Sequence, residues 1–176
     1  LNPYLLKEKP GILEKQVDGL FDTDGMMQYD QTTQKLIYVY YYRNQFIVTD
    51  SNLNLLYRGN TIDSNTTVKF KVASFNRQRT TVIEAPMRIN NKRILSYRGM
   101  IFIQSGLVSS NEQPDILGRY AVVDVYALND GHYRFSFYIP RKEGKTLSDF
   151  IITRGHLVSI CGNMLYSYEL NLPPLR

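Results

Sequence analysis

The sequence contains one cysteine, two histidines and no tryptophan. A lone cysteine, Cys161, excludes a disulfide within the chain, and with only His132 and His156 beside it a zinc cage is excluded too. We therefore expect no metal site and no cofactor. Every apolar run is shorter than the roughly 20 residues of a membrane-spanning helix, so no membrane span is predicted.

Catalytic motifs are also scarce. The chain has no Gly-x-Ser-x-Gly elbow and no glycine-rich phosphate loop, which argues against hydrolase and nucleotide chemistry. Cys161 lacks a histidine and an asparagine at a known catalytic spacing, so we interpret it as a small core residue. Asp22-Thr23-Asp24-Gly25 opens like a calcium loop, but the later ligands are missing, and a turn is the better interpretation.

What the chain does contain favours strands. Its 176 residues are 43% hydrophobic and include 14 tyrosines and eight phenylalanines, enough to fold as one domain rich in β-structure. The net charge of +5 comes from 21 basic and 16 acidic residues, and we interpret it as a solubilising surface rather than as a nucleic-acid interface. The tyrosines of residues 38–42 are accordingly predicted to be core or cross-strand residues rather than a base-stacking platform.

Residues 119–140 read as a β-hairpin. Side chains alternate along residues 120–127 and again along residues 133–139, as they do on the two faces of a strand. Asn129-Asp130-Gly131 supplies the residues that tolerate a tight reversal. Pro140, which cannot donate a backbone hydrogen bond, is predicted to close the second strand.

An internal repeat follows the same pattern. Residues 97–103 match residues 153–159, which lie 56 positions later (155 minus 99). Residues 122–129 match residues 164–171, which lie 42 positions later (171 minus 129). An insertion in the polar loop at 105–118 accounts for the difference of 14. A weaker copy covers residues 36–58. Periods of about 40 to 50 residues, with four short strands each, are typical of propeller blades.

The repeat predicts an all-β fold, a partial β-propeller of about three antiparallel four-stranded blades. Residues 1–19 are predicted to form an N-terminal arm and residues 20–176 the blades. The last copy ends after its third strand, so its fourth strand must come from elsewhere. A β-sandwich, which would bury the same hairpins between two sheets, is the alternative fold.

Four stretches of sequence carry a resemblance to a known family. They are Ala85-Pro86, residues 101–107 (IFIQSGL), residues 122–140 (VVDVYALNDGHYRFSFYIP) and residues 156–170 (HLVSICGNMLYSYEL). Over residues 36–170 the chain resembles the TolB-like six-bladed β-propeller family of Bacteroidota. The resemblance implies the C-terminal half of a ring in an exported protein that is periplasmic, extracellular or lipid-anchored at the cell surface. It supplies no catalytic residue.

Four residues are predicted to be structural. Asp124, in an apolar strand, is expected to accept hydrogen bonds from a neighbouring turn, because a buried carboxylate needs such partners. Gly99, Gly131 and Gly155 are expected at turns. His132 is expected in solvent, and His156 has no second metal ligand near it in sequence.

The function favoured by the sequence is a non-catalytic binding or scaffold module. Loops 105–118 and 141–145 would face a protein or a glycan, and the candidate binding residues are Glu112, Asp115, Arg141, Lys142 and Lys145. The ring would be completed by a second copy, in a homodimer, or by the missing half of the propeller. The alternative is a hydrolase-like enzyme with its site at the propeller mouth, completed by blades outside this chain.

Overall fold

The fold is that of a computed structural model. It describes residues 8–17, 19, 21–68, 72–75, 80–83, 88–108, 113, 115–142 and 145–173, with the backbone alone at 72–75 and 80–83.

Three antiparallel sheets account for most of the strands. The first sheet holds β1 (Gly25–Asp30), β2 (Lys35–Tyr40), β3 (Gln45–Asp50) and β4 (Leu55–Asn60). The second holds β7 (Asn91–Tyr97), β8 (Met100–Ser105), β9 (Tyr120–Ala127) and β10 (Tyr133–Pro140). The third holds β11 (Leu147–Thr153), β12 (His156–Cys161) and β13 (Met164–Glu169). In each sheet the strands lie in chain order.

Two small elements stand outside these sheets. A hairpin of β5 (Val72–Phe75) and β6 (Thr80–Ile83) lies between the first and second sheets in sequence. The sequence predicts a hairpin there, because the strand-like residues 66–75 and 80–85 flank a polar turn at residues 76–79. The helix α1 (Ile116–Arg119) lies at the end of the loop between β8 and β9. The predicted insertion in the repeat is this loop.

The sheets stack face to face, with the second in the middle. One face of the second sheet packs against the first through Ile101, Ile103 and Tyr126, which meet Ile37 and Phe46. Its other face packs against the third sheet, where Phe102 and Val123 share a buried cluster with Phe150, Ile152 and Leu157. Both faces of its strands are therefore apolar. This explains why β8, for example, begins with four consecutive apolar residues instead of alternating apolar and polar ones.

The first strands of the three sheets are neighbours. β7 contacts β1 on one side and β11 on the other, so each sheet begins at a common centre and extends outward. This is the arrangement of blades in a β-propeller, and the chain forms three of them. A two-sheet sandwich is wrong because the second sheet is covered on both faces. The third sheet has three strands, as the repeat predicted.

The repeat is confirmed in the turns. Arg98-Gly99 joins β7 to β8 and Arg154-Gly155 joins β11 to β12, and all four residues have positive φ, between 48° and 79°. Two-residue turns of this kind match the twist of a hairpin. Gly131, in the predicted turn between β9 and β10, also has a positive φ of 75°.

One strand was predicted too long. The pattern indicated a strand from residue 20 to residue 29, whereas β1 begins at Gly25. Residues 21–24 form a turn, in which Asp24 accepts a hydrogen bond from the Gly25 amide at 2.9 Å. Asp22 in the same turn is buried and accepts hydrogen bonds from the amides of Gln16, Val17 and Gly19. The turn interpretation of residues 22–25 is therefore correct.

The described part of the N-terminal segment lies on the first sheet. Arg58 donates to the carbonyl oxygens of Gly11 and Ile12 and forms an ion pair with Glu14 at 2.9 Å. The Glu14 amide donates to the Tyr40 hydroxyl at 3.2 Å. Residues 8–17 thus cover the β4 side of the face of the first sheet that points away from the second.

Candidate functional site

A groove of about 740 Å³ opens beside the second sheet, at the end where β7 begins and β8 ends. Its lining comes from four separate stretches: residues 62–65 after β4, Arg88 before β7, residues 105, 107 and 108 after β8, and one face of β9 and β10. The groove therefore depends on how the first two sheets meet, and no short motif marks it in the sequence.

The floor of the groove is one face of the β9–β10 pair. Ser136 lies directly opposite Asp124, and Tyr138 lies opposite Val122, so these side chains share a face. Tyr133 completes the row and lies opposite Tyr126. The side chains of Tyr133 and Tyr138 are 44% and 47% exposed. Two aromatic rings beside hydroxyl and carboxylate groups are suited to a ligand that has both apolar faces and polar edges.

Asp124 is buried in this floor. It is 5% exposed, and Ser136 Oγ donates to its Oδ1 at 2.5 Å. The carboxylate is among the polar groups lining the groove, and its partners include this side chain on the neighbouring strand. Asp124 can thus serve the structural role predicted for it, by holding the neighbouring strand, and still contact a ligand in the groove.

We expect Asp124→Ala to lower the free energy of unfolding by about 1 to 3 kcal/mol, because the donors that face the carboxylate would lose their acceptor in a buried place. Urea denaturation followed by circular dichroism measures this change. Asp115→Ala is the matched control. Asp115 is exposed and forms an ion pair with Arg119 at 3.1 Å, and such surface pairs contribute little. Equal stability of wild type and Asp124→Ala would contradict the prediction.

The wall opposite the floor is organised by Asp63. Its carboxylate accepts hydrogen bonds from Thr61 Oγ1 at 2.5 Å, from the Asn65 amide at 2.9 Å and from Asn90 Nδ2 at 3.1 Å. Asp63 therefore fixes its own loop to the segment before β7. Both carboxylates in the groove are held by the protein itself.

Tyr126 ties this wall to the second sheet. It is fully buried, and its hydroxyl oxygen accepts a hydrogen bond from the Ile62 amide at 3.0 Å. Burial raises the pKa of the Tyr126 hydroxyl well above its usual value, and the nearby carboxylates of Asp124 and Asp63 raise it further. The Tyr126 hydroxyl thus stays protonated at neutral pH and well into the alkaline range.

Four further tyrosines have a raised pKa, and Tyr57 and Tyr38 are the more strongly shifted of them. Burial, with the Asp130 carboxylate, raises the pKa of Tyr57, and burial, with the Asp24 carboxylate, raises the pKa of Tyr38 to about 12. In the unfolded chain each of these hydroxyls loses its proton near pH 10. Because the folded form keeps the proton, stability falls as the pH rises above about 10.

We expect an absorbance titration of the tyrosines to show a late step, from hydroxyls with a raised pKa such as that of Tyr126, that coincides with unfolding. Tyr126→Phe should remove part of that step and reduce the slope of stability against pH between about 10 and 12. Urea denaturation at a series of alkaline pH values gives the slope. An identical slope in wild type and variant would show that Tyr126 ionises normally.

No family model and no curated protein matches the chain. Among solved structures, the chain matches Kluyveromyces lactis Hsv2 with a TM-score of 0.43 and 11% sequence identity, over 84% of this chain and 33% of that chain. The chain thus spans about a third of the length of that structure. So distant a likeness carries no argument, and the fold is established by the sheets and contacts described above.

Of the residues predicted to bind from sequence, the four that the structure describes do not line this groove. Asp115 pairs with Arg119, whose carbonyl oxygen accepts a hydrogen bond from the Arg141 amide at 2.8 Å. Lys142 lies over the ring of Tyr166, with 5.6 Å between its Nζ and the ring centroid. Lys145 lies beside Gly162, and Glu112 falls outside the described residues. These residues remain a prediction as a binding surface.

Arg141 has one polar atom that stands out. Its Nε is buried and has no hydrogen-bond partner in the part of the chain that the structure describes. Burial, with the Arg141 charge, lowers the pKa of Lys92. Arg141 therefore lies near a further cation of the second sheet.

The remaining sequence candidates are accounted for by the fold. Cys161 is buried in the cluster between the second and third sheets, His132 is exposed in its turn, and His156 is exposed at the start of β12. Tyr40 is buried, with the Arg43 guanidinium 3.6 Å from its ring centroid and the ring of Tyr38 in edge contact. Tyr40 is therefore a core residue, in line with the prediction, whereas Tyr38, Tyr41 and Tyr42 are half-buried.

The described residues lack two further features. No group of three or more histidine, cysteine or acidic side chains there is arranged to hold a metal ion. Within the same residues, no helix has the length and hydropathy of a membrane span.

Proposed function

We propose that this protein is a non-catalytic binding module and that its ligand occupies the groove between the first and second sheets. The observation that carries the proposal is the state of the two carboxylates that line it. Asp63 accepts three hydrogen bonds from its own surroundings and Asp124 accepts one from Ser136. Carboxylates whose oxygens accept hydrogen bonds from the protein are fixed in place to orient a ligand, whereas acid–base catalysis needs a carboxyl group that is free to exchange a proton with the substrate.

The ligand that best fits the groove is rich in hydroxyl groups, such as a glycan. The half-exposed rings of Tyr133 and Tyr138 can pack against the apolar faces of a sugar ring. Asp124, Ser136 and Arg88 supply hydrogen-bond acceptors and donors for its hydroxyl groups. The chain has no tryptophan, so the aromatic surface offered to the ligand is that of the two tyrosine rings.

The test is a glycan array probed with wild type and with Tyr133→Ala/Tyr138→Ala. We expect wild type to retain one family of oligosaccharides and the double variant to lose it. Leu56→Ala is the control, because Leu56 is 48% exposed, as Tyr138 is, and lies outside the groove. Retention of the same oligosaccharides by the double variant would refute the groove as the site, and a protein ligand found instead would refute the glycan.

A hydrolase is the second candidate, since two carboxylates, Asp63 and Asp124, line one groove. Assays with chromogenic glycosides separate it from a binding module. Turnover that Asp124→Asn abolishes, while the variant still binds sugar, would establish catalysis. Binding without turnover supports the binding module.

We also propose that the chain is half of a six-bladed ring in an exported protein of the TolB-like type. Three blades are the number that such a half would contribute, and the resemblance over residues 36–170 supports the family. Fractionation of the cells that produce the protein tests export, and recovery in the cytosolic fraction would contradict it.

A further inference from the structure

The outer face of the third sheet carries a row of exposed apolar side chains. Ile151 lies opposite Val158, and Ile160 lies opposite Leu165, so the four share one face of the sheet. Ile151, Ile160 and Leu165 are 52%, 38% and 71% exposed. The other face of the same strands is buried against the second sheet. We call this outer row the front face.

The repeat shows what such a face does elsewhere in the molecule. Subtracting 56 from Ile151 and Val158 gives Leu95 and Phe102, and subtracting 42 from Leu165 gives Val123. Leu95, Phe102 and Val123 are the side chains through which the second sheet packs on the third. The side chains on the front face of the third sheet are therefore equivalent, in the repeat, to the side chains through which the second sheet packs against the third.

The opposite end of the stack has an exposed apolar row of its own. In the first sheet, Met27 and Tyr29 are 67% and 44% exposed. They point away from the second sheet, because their neighbour Met26 packs against the cluster between the two sheets. Residues 8–17 cover the β4 side of the same face, as their bonds to Arg58 show. We call the uncovered β1 side the back face.

In each sheet, we call the face equivalent to the third sheet's outer face the front and the opposite face the back. The sheets of this chain then meet front to back. The front of the first packs on the back of the second, and the front of the second packs on the back of the third. At the two ends of the stack, the front face of the third sheet and the back face of the first sheet expose apolar side chains. Patches of this kind on otherwise polar surfaces mark interaction sites.

We propose that the front face of the third sheet binds the back face of the first sheet in a second copy of this chain. A contact between two different surfaces closes a ring when the rotation permits. Two stacks of three sheets that meet at both ends make six blades, within the range of about four to eight that closed propellers use. The contact is separate from the ligand groove.

Two substitutions test the proposal, one on each face. Leu165→Asp places a charge on the front face and Met27→Asp places one on the back face. Both side chains are exposed in a single copy, so each variant should fold, which circular dichroism checks. Tyr138→Asp is the control, because Tyr138 is similarly exposed but lies in the groove.

Light scattering on a size-exclusion column gives the mass of each sample over a range of concentrations. We expect wild type and the control to have twice the mass of one chain, and each test variant to have the mass of one chain. Mixing the two variants should restore a dimer, because one of its two contacts then joins an intact front face to an intact back face.

Three outcomes would overturn the proposal. A wild type that remains monomeric at every concentration excludes the second copy as the occupant. A dimer that Leu165→Asp dissociates but Met27→Asp does not would join two front faces, and in the mixture the Leu165→Asp chain would then remain monomeric. A dimer that neither variant dissociates uses another surface. Ligand binding by the monomeric variants would leave the proposed function standing in every case.

Discussion

Replacing Gly106 by alanine is expected to lower the free energy of unfolding by about 3 kcal/mol, at the upper end for overpacking a folded interior. A Cβ at Gly106 would lie well inside 3.0 Å of the Ile89 carbonyl oxygen, which is backbone and cannot rotate away. The Gly106 amide also donates to the Asn90 carbonyl at 2.7 Å. This close approach joins the loop after β8 to the segment before β7.

Urea denaturation measures the effect, and Gly118→Ala is the matched control. Gly118 lies in α1, and no atom lies within 4 Å of the position that a Cβ would occupy there, so the same change should be neutral or slightly stabilising. Because Ser105 and Leu107 line the groove on either side of Gly106, the Gly106→Ala variant should also bind ligand more weakly. Equal effects of the two substitutions would show that the chain at Gly106 relaxes freely.

Asp22→Ala is expected to lower the free energy of unfolding by about 2 to 4 kcal/mol, because three backbone amides would lose one buried acceptor at once. Asp22 is 1% exposed and accepts from the amides of Gln16, Val17 and Gly19. The loss is limited by the free energy that holds residues 8–19 on the first sheet, since that segment can detach as a unit.

Hydrogen exchange together with limited proteolysis distinguishes detachment from global unfolding. We expect rapid exchange and early cleavage within residues 8–19 of Asp22→Ala, and little change in the second and third sheets. Asp24→Ala is the control, because Asp24 is exposed and its side chain holds the Gly25 amide of its own turn. Protection of residues 8–19 that matches wild type would mean that Arg58 and Tyr40 hold the segment without Asp22.

The sequence predicted what is local or repeated. Alternation defined β9 and β10, Gly131 marked their turn, and the matching Arg-Gly pairs located two further hairpins. Counting strands in the last copy correctly gave a third sheet of three strands. Each of these features depends on residues within one hairpin or on a comparison of two hairpins, which sequence patterns report directly.

The groove could not be predicted in the same way. Asp63 and Arg88 lie on loops separated in sequence from Asp124, and they meet it only because the first and second sheets stack. Asp22 was assigned to a local turn, yet its carboxylate reaches back to Gln16 and Val17. Candidate residues chosen from charged loops, such as Lys142, lay elsewhere, because charge alone does not reveal which loops converge.

The chain order of the strands has a consequence for the speed of folding. Every strand of the three sheets pairs only with strands that precede or follow it directly in sequence. Each sheet can therefore form by joining neighbouring strands, without a strand from a distant part of the chain. Low sequence separation between contacts accelerates folding relative to all-β proteins with long-range pairing. Each sheet can then form as a unit before the stack assembles, and the slowest step becomes the docking of preformed sheets.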